Sequence, residues 1–279
     1  MDTYRGVDYY GIEALLTEEQ RMVRDAVRDW VEKEFVPVVS QHHRDGTFPL
    51  EVAKPLGEMG VFGATLKGYG CAGLDNVAYG LIMQELERGD SGLRSFASVQ
   101  SGLVMYPIYA YGSEAQKEKW LPRLQSGQSL GCFGLTEPDH GSDPGSMATR
   151  AIKKGNEYVL NGTKLWITNG SVAEVAVVWA KGDDGEIGGY LVERGTPGFS
   201  TLDIHGKFSM RASITSELAF ADCKIPLENK LAGAKGLKGP LGCLSQARYG
   251  IAWGAIGAAM GCYDWALKYS QQRIQFGKP

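Results

Sequence analysis

Residues 131–143 read Gly131-Cys-Phe-Gly-Leu-Thr-Glu-Pro-Asp-His-Gly-Ser-Asp143, and the periodicity of the chain changes where this stretch begins. Before it, apolar residues such as Val23, Val27 and Trp30 recur at helical spacing. After it come short runs rich in β-branched and aromatic residues, separated by turn signals, and from residue 243 the pattern is helical again. An order of helices, strands and then a helix argues against βαβ winding and predicts an α+β fold with segregated parts.

We therefore expect an all-α domain over residues 1–130, an antiparallel β-sandwich or barrel over 131–240, and the start of a helical bundle over 241–279. Two capping boxes, Thr17–Gln20 and Ser113–Gln116, predict helix starts. Pro37 is expected to close the first helix. The last helix is apolar nearly all round in its first half, so we expect further helices around it, from partner chains or from a longer protein.

Composition and charge exclude several classes of protein. The 29 basic and 32 acidic residues give a net charge of −3, which argues against nucleic-acid binding. No uncharged apolar run reaches the roughly 18–20 residues that a membrane span needs, and the amino terminus lacks a secretory signal. The cysteines and histidines are not clustered, so we expect no metal site. We expect a cytoplasmic protein, or one of the mitochondrial matrix if a transit peptide has been removed.

Four segments could carry chemistry, although none identifies an activity alone. The glycine-containing loop 135–143 can present backbone amides to an anion, and Trp166-Ile-Thr-Asn169 can lie along a flat heterocycle. Arg273-Ile-Gln-Phe-Gly277 offers a guanidinium for phosphate and an aromatic ring for stacking. Composition alone favours simpler interpretations: a core tryptophan at 166, and a solvated charged face over the fourth segment, 85–95.

Taken together and in order, these motifs resemble those of the acyl-CoA dehydrogenase family of flavoproteins. The matching pieces span the chain: Phe133–Asp143, Asn161-Gly-Thr-Lys-Leu-Trp-Ile-Thr-Asn169, Ile225-Pro-Leu-Glu-Asn229, Ala247-Arg248 and Arg273-x-x-Phe-Gly277. The resemblance implies a helical domain, a β domain and the first helix of a four-helix bundle. It also implies FAD as cofactor, an acyl-CoA substrate, electron-transfer flavoprotein as electron acceptor, and a homotetramer.

The same resemblance assigns residues to the flavin. Arg273 and Phe276 are expected to reach the FAD of a neighbouring subunit. The residues expected around the isoalloxazine and ribityl groups are Phe133, Leu135, Thr136, Gly141, Ser142, Trp166, Ile167 and Thr168.

Within the family, segments 85–105, 206–213 and 246–254 resemble those of members that act on glutaryl-CoA. This implies that Arg94, with Glu87 and Ser95 close by, binds the free carboxylate of the acyl chain. The implied reaction is α,β-dehydrogenation of glutaryl-CoA with decarboxylation to crotonyl-CoA. The remaining residues expected to line the acyl-CoA tunnel are Ser142, Cys243, Leu244, Ala247, Arg248, Tyr249 and Gly250.

The reaction needs a carboxylate to remove the α-proton. The family places it on a later bundle helix or, in some members, just before the bundle arginine, where this chain has Ala247. The catalytic glutamate is therefore expected beyond Pro279, and the 279-residue chain alone is expected to be inactive. Two alternatives stay open: a dehydrogenase of short monocarboxylic acyl-CoA, and a non-catalytic fragment that binds flavin or acyl-CoA.

Overall fold

A computed structural model describes residues 4, 6 and 8–279, which begin with a helical region. The helices are accompanied by short 3₁₀ turns at Ile12–Leu15 and Leu50–Val52 and by π-helical turns at Val31–Phe35 and Val99–Met105. A short hairpin consists of β1 (Lys67–Gly68) and β2 (Cys71–Ala72). The helices are α1 (Glu18–Trp30), α2 (Val36–Asp45), α3 (Ala53–Glu58), α4 (Asn76–Gly89), α5 (Ser91–Ser98), α6 (Tyr106–Tyr111) and α7 (Glu114–Gln125).

The helix starts follow the capping residues. Thr17 and Gln20 form the predicted capping box, because the Gln20 amide donates to Thr17 Oγ1 at 3.2 Å and the Thr17 amide donates to Gln20 Oε1 at 3.0 Å. Ser113 and Gln116 form the second box in the same way. The prediction for Pro37 was wrong, because the chain stays helical through it. Pro37 lies in the first turn of α2, directly after the π-helical turn Val31–Phe35, where the regular α-helical hydrogen bonding is interrupted.

Composition alone suggested that the charged segment 85–95 is a solvated face, and this was wrong. Glu85, Glu87 and Arg94 are all buried, as is nearly the whole of α5. The sequence analysis also did not identify α5 and α6 as separate helices, although both lie in the region expected to be helical. Helix α5 is an interior helix of the first domain, whereas α6 buries only Pro107 and Ile108.

The predicted β domain is present as one seven-stranded sheet within the described residues. The strand order is β3-β6-β4-β5-β9-β8. Strand β7 lies outside this order and also pairs with β6. The β3–β6 and β4–β6 pairings are parallel, where antiparallel pairing was expected. The strands are β3 (Gly131–Gly134), β4 (Arg150–Lys154), β5 (Glu157–Thr168), β6 (Val175–Lys181), β7 (Ile187–Glu193), β8 (Phe199–Asp203) and β9 (Thr215–Pro226).

The chain then enters one long helix, α8 (Lys238–Gln272), which starts before the predicted Cys243. Its first turn lies against the sheet, where a Cβ on Gly239 would be 2.7 Å from the Trp179 ring. Further along, α8 packs on α4. The main hydrophobic core joins the first domain, one face of the sheet and the beginning of α8, and a second core covers the other face. No helix in the described part of the chain is long and apolar enough to cross a membrane.

Candidate functional site

Strand β5 has an irregularity that turns a tryptophan outward. The pairing with β9 shifts between Lys164 and Ile167, and Trp166 within the shift has a φ of 63°. Such a bulge re-aims the side chains beside it. Trp166 is 58% exposed, so the expectation of a core tryptophan was wrong.

The loop after β3 lies beside this bulge. The amide of Leu165 donates to the carbonyl of Thr136 at 2.8 Å. The loop folds back on itself through reciprocal backbone hydrogen bonds between Glu137 and His140, at 3.2 and 3.3 Å. The two sequence motifs, 133–143 and 161–169, are therefore neighbours in space.

A buried ion pair joins the same two motifs. Lys164, fully buried, donates from Nζ to Glu137 Oε1 at 2.8 Å and to the carbonyl of Leu135 at 3.1 Å. Glu137 also accepts from the amides of Ala148 at 2.6 Å and Thr149 at 3.0 Å. Both residues lie within the quoted motifs, but the sequence analysis gave them no role, because no local pattern indicates that Lys164 points inward.

The ionisation of this pair follows from its burial and its hydrogen bonds. Burial favours the neutral form of Glu137, but the hydrogen bonds from Lys164, Thr149 and Ala148 outweigh it and lower the pKa to about 2. Burial lowers the pKa of Lys164 to about 8, against the opposing effect of Glu137. Both groups are therefore mainly charged at pH 7, and the pair holds the loop against β5.

A cavity of about 410 Å³ opens between this loop, the β5 bulge and α8. It collects all the residues expected at the flavin except Arg273 and Phe276, which lie exposed beyond the end of α8. Among the described residues, no carboxylate lines it. The lining residues are Val99, Leu103, Phe133, Leu135, Thr136, Gly141, Ser142, Pro144, Trp166, Ile167, Thr168, Leu241, Leu244 and Arg248.

The lining fits a flat heterocycle with a polar edge. Trp166 offers an exposed aromatic surface, and Thr136 and Thr168 offer hydroxyl groups. At Gly141 a Cβ would meet nothing nearer than a Thr136 methyl group at 4.0 Å, so the loop leaves open space there. Buried Asn169, next to Thr168, has an amide nitrogen without a partner among the described residues.

A second polar cluster forms where α4 ends and α5 begins. Asp90 is extended, and its side chain accepts from the amide of Gly92 at 2.6 Å, which starts α5 in a new direction. This turn brings Arg94 back against Glu87, whose Oε2 accepts from Arg94 Nε while Oε1 accepts from the Ser91 hydroxyl. Arg94 is 7% exposed, and its Nη atoms make no hydrogen bond to any described residue.

The other residues expected at the substrate divide into two groups. Ser142, Leu244 and Arg248 line the cavity, Ser95 is buried on α5, and Ala247 is half-buried next to Gly102. Ser95, Ala247 and the remaining three residues do not line the cavity. Tyr249 donates to the carbonyl of Asn76 at 2.8 Å, Gly250 faces Met83, and Cys243 lies in the core, where burial raises the pKa of its thiol to about 12.

Three family models match the chain in sequence order. Residues 17–128 match the acyl-CoA dehydrogenase N-terminal domain, residues 132–223 the middle domain, and residues 234–279 the C-terminal domain.

Solved structures and curated proteins agree with these matches. A crystal structure of a glutaryl-CoA dehydrogenase from Mycobacterium smegmatis in complex with FADH2 superposes with a TM-score of 0.96 at 49% identity, covering 99% of this chain and 72% of that one. A structure described as the electron transferring flavoprotein of Acidaminococcus fermentans gives a TM-score of 0.90 at 38% identity, covering 98% and 72%. The mitochondrial short-chain specific acyl-CoA dehydrogenase of Rattus norvegicus is 38% identical over 277 residues, covering 97% of this chain and 67% of the relative.

Proposed function

Since the chain belongs to the acyl-CoA dehydrogenase family of FAD-dependent oxidoreductases, we propose that its substrate is glutaryl-CoA. The proposed reaction is α,β-dehydrogenation with decarboxylation to crotonyl-CoA. The observation that carries this proposal is the buried Arg94, which Glu87 holds through Nε while both Nη atoms stay without a hydrogen bond to the described residues.

A dicarboxylic acyl chain brings a second negative charge into a largely apolar interior. An unpaired carboxylate there is costly, whereas a guanidinium accommodates it through two parallel hydrogen bonds. Glu87 fixes the plane of the Arg94 fork, and Ser91 in turn fixes Glu87. A buried arginine held in this way suits a terminal carboxylate better than a terminal methyl group.

Arg94 also lies at a suitable distance from the cavity. Helix α8 contributes Leu244 and Arg248 to the cavity, and Gly254 of the same helix faces Arg94. Gly254 lies six positions after Arg248, which is about 9 Å along the helix axis. A short dicarboxylic acyl chain, with hydrogen bonds at its end, is of comparable length.

The residues that we propose to hold the flavin are those of the cavity. Trp166 would pack on the ring, and the hydroxyl groups of Thr136 and Thr168 would bond its polar edge. When bound, FAD supplies the acceptor for the hydride that leaves the β-carbon. Arg248 and Ser142, at the rim, would contact the CoA portion of the thioester.

The described residues do not supply the base. No carboxylate of the described chain lines the cavity, and Ala247, which precedes Arg248 on α8, has no group that can accept a proton. The proposal therefore assigns binding and orientation of the ligand to these residues.

A short monocarboxylic acyl-CoA is the second candidate substrate. Its support is the 38% identity to the short-chain specific enzyme of Rattus norvegicus and the apolar side chains of Val99, Leu103 and Phe133 in the cavity wall. The two candidates differ in whether Arg94 contributes to binding.

We expect Arg94→Gln in the FAD-loaded protein to weaken glutaryl-CoA binding by about 10-fold to 100-fold, because it removes a charged hydrogen-bond donor from a buried site. Binding of pentanoyl-CoA, which has the same carbon count without the carboxylate, should change little. Isothermal titration calorimetry of both ligands measures this.

The matched control is Arg24→Gln, which removes another largely buried arginine, paired with Glu13 and not part of the cavity lining. It should leave both affinities unchanged. Equal and small effects of Arg94→Gln on the two ligands would favour the monocarboxylic substrate.

We further propose electron-transfer flavoprotein as the acceptor, a homotetramer as the assembly and the cytoplasm as the compartment. The exposed Arg273 and Phe276 support an assembly in which another subunit's flavin lies beside them. The similarity to the Acidaminococcus fermentans structure supports the acceptor.

A further inference from the structure

Gly254 on α8 lies directly against the Glu87–Arg94 pair. A Cβ at this position would be 2.8 Å from Glu87 Oε2 and 3.3 Å from Arg94 Nε. Real Cβ atoms essentially never approach another heavy atom to under 3.0 Å, so a side chain at 254 would force the Glu87 carboxylate to move. Gly254 is buried, and water cannot take up the displaced group freely.

Gly254 differs from the other glycines along the same side of α8. A Cβ at Gly257 would be 1.9 Å from the carbonyl oxygen of Gln84, and one at Gly261 would be 3.1 Å from that of Arg88. Those two glycines let the helix backbones of α8 and α4 approach each other. At Gly254 the first atoms met are instead the hydrogen-bonded side-chain atoms of Glu87 and Arg94.

The atoms in question are the ones that orient Arg94. Glu87 Oε2 accepts a hydrogen bond from Arg94 Nε. The two Nη atoms of Arg94, a residue that is more than nine-tenths buried, have no hydrogen-bond partner among the described residues. A displaced Glu87 would release Nε and let the guanidinium fork rotate. The bidentate geometry that a carboxylate needs would then be lost.

We propose that Gly254 is a specificity-determining residue: its missing side chain makes the room in which Glu87 holds Arg94 ready for the terminal carboxylate of a dicarboxylic acyl-CoA. This inference rests on the proposed function. Gly254 acts through Glu87 and Arg94, so its effect is on the preference between dicarboxylic and monocarboxylic ligands. The CoA end of the ligand is bound elsewhere and is not affected.

The test is Gly254→Ala in the FAD-loaded protein, with dissociation constants of glutaryl-CoA and pentanoyl-CoA measured by calorimetry. We expect glutaryl-CoA to bind about 10-fold more weakly and pentanoyl-CoA to change by less than about threefold, because only the first ligand uses the oriented fork. Gly261→Ala is the matched control, since it adds the same methyl group between α8 and α4 without meeting Glu87 or Arg94. It should leave the ratio of the two constants unchanged.

A second pair of variants keeps the test decisive if Gly254→Ala folds poorly. In a Glu87→Ala background the atom nearest to the new methyl group is gone, so Gly254→Ala should fold there and have no further effect on the ratio. An equal loss for both ligands in the wild-type background, or an undiminished effect of Gly254→Ala in the Glu87→Ala background, would overturn the inference.

The failure of the inference is distinct from that of the proposed function. If Arg94→Gln leaves the ratio unchanged, glutaryl-CoA is not the substrate and both ideas fail together. If Arg94→Gln lowers glutaryl-CoA binding selectively while Gly254→Ala does not, only the role of Gly254 is wrong.

Discussion

At the scale of single residues, the Glu137–Lys164 pair connects the two segments that carry the cavity. It joins residues 27 positions apart in a place where the lysine is fully buried. A buried ion pair adds little net stability over an apolar pair, but removing one partner leaves an uncompensated charge. We therefore expect the stability of the protein to fall when one partner is replaced, and to fall less when both partners are replaced together.

We predict that Glu137→Gln lowers the free energy of unfolding by about 3–5 kcal/mol, because Lys164 is left buried without its carboxylate. Adding Lys164→Met should recover a large part of the loss. Urea unfolding of the two variants and the wild type measures both effects. A double variant that is less stable than Glu137→Gln would contradict this account.

Acid should remove the same stabilisation. The pKa of Glu137 is lowered from its ordinary 4.5 to about 2 in the folded chain, so the unfolded chain binds the proton first as the pH falls. The contribution of Glu137 is complete above about pH 4.5 and disappears toward pH 2. The Glu137→Gln, Lys164→Met variant should therefore lose less stability between these pH values than the wild type does.

At the scale of elements, the contact of α4 with α8 determines where Arg94 and the cavity lie relative to each other. Gly250, Gly254 and Gly257 are buried in this contact. Because α8 lacks side chains at these positions, its backbone comes close to α4: a Cβ at Gly257 would be 1.9 Å from the Gln84 carbonyl oxygen.

We predict that Gly257→Ala destabilises the protein by about 1–3 kcal/mol or more, because the methyl group overlaps a backbone atom that cannot rotate away. Thermal unfolding followed by circular dichroism measures the shift. The control is Gly155→Ala, at a turn where a Cβ meets nothing within 4 Å, which should cost only the strain of its φ of 62°. A Gly257→Ala protein as stable as the wild type would mean that α8 is not held in this position.

At the scale of the whole molecule, α8 exposes several large apolar side chains. Large side chains are exposed along its length, from 42% to 67% of their surface: Ile251, Ile256, Tyr263, Trp265 and Tyr269. Exposed apolar surface on one long helix is typical of an interaction site or leads to association.

We predict that the 279-residue chain binds a hydrophobic fluorescent dye and self-associates at high concentration. Ile256→Lys with Trp265→Lys should reduce both, whereas Leu202→Lys, at an exposed position on the edge strand β8, should not. Dye fluorescence and sedimentation velocity measure the two effects. A chain that stays monomeric and binds no dye would show that this surface is not adhesive.

The sequence by itself determined the order of the three structural units, the capped helix starts, the family and its flavin cofactor. These follow from local periodicity, from capping residues such as Thr17 and Ser113, and from motifs such as 133–143 whose residues are close together along the chain.

Only the tertiary structure decided the burial of segment 85–95, the outward turn of Trp166 and the parallel pairing of β3 with β6. The same holds for the Glu137–Lys164 pair and for the contact of Gly254 with Glu87. The physical reason is that each depends on a partner distant in sequence, while hydrophobic periodicity reports only on neighbours within a few residues. A charged run such as 85–95 has the same local pattern whether water or another helix covers it.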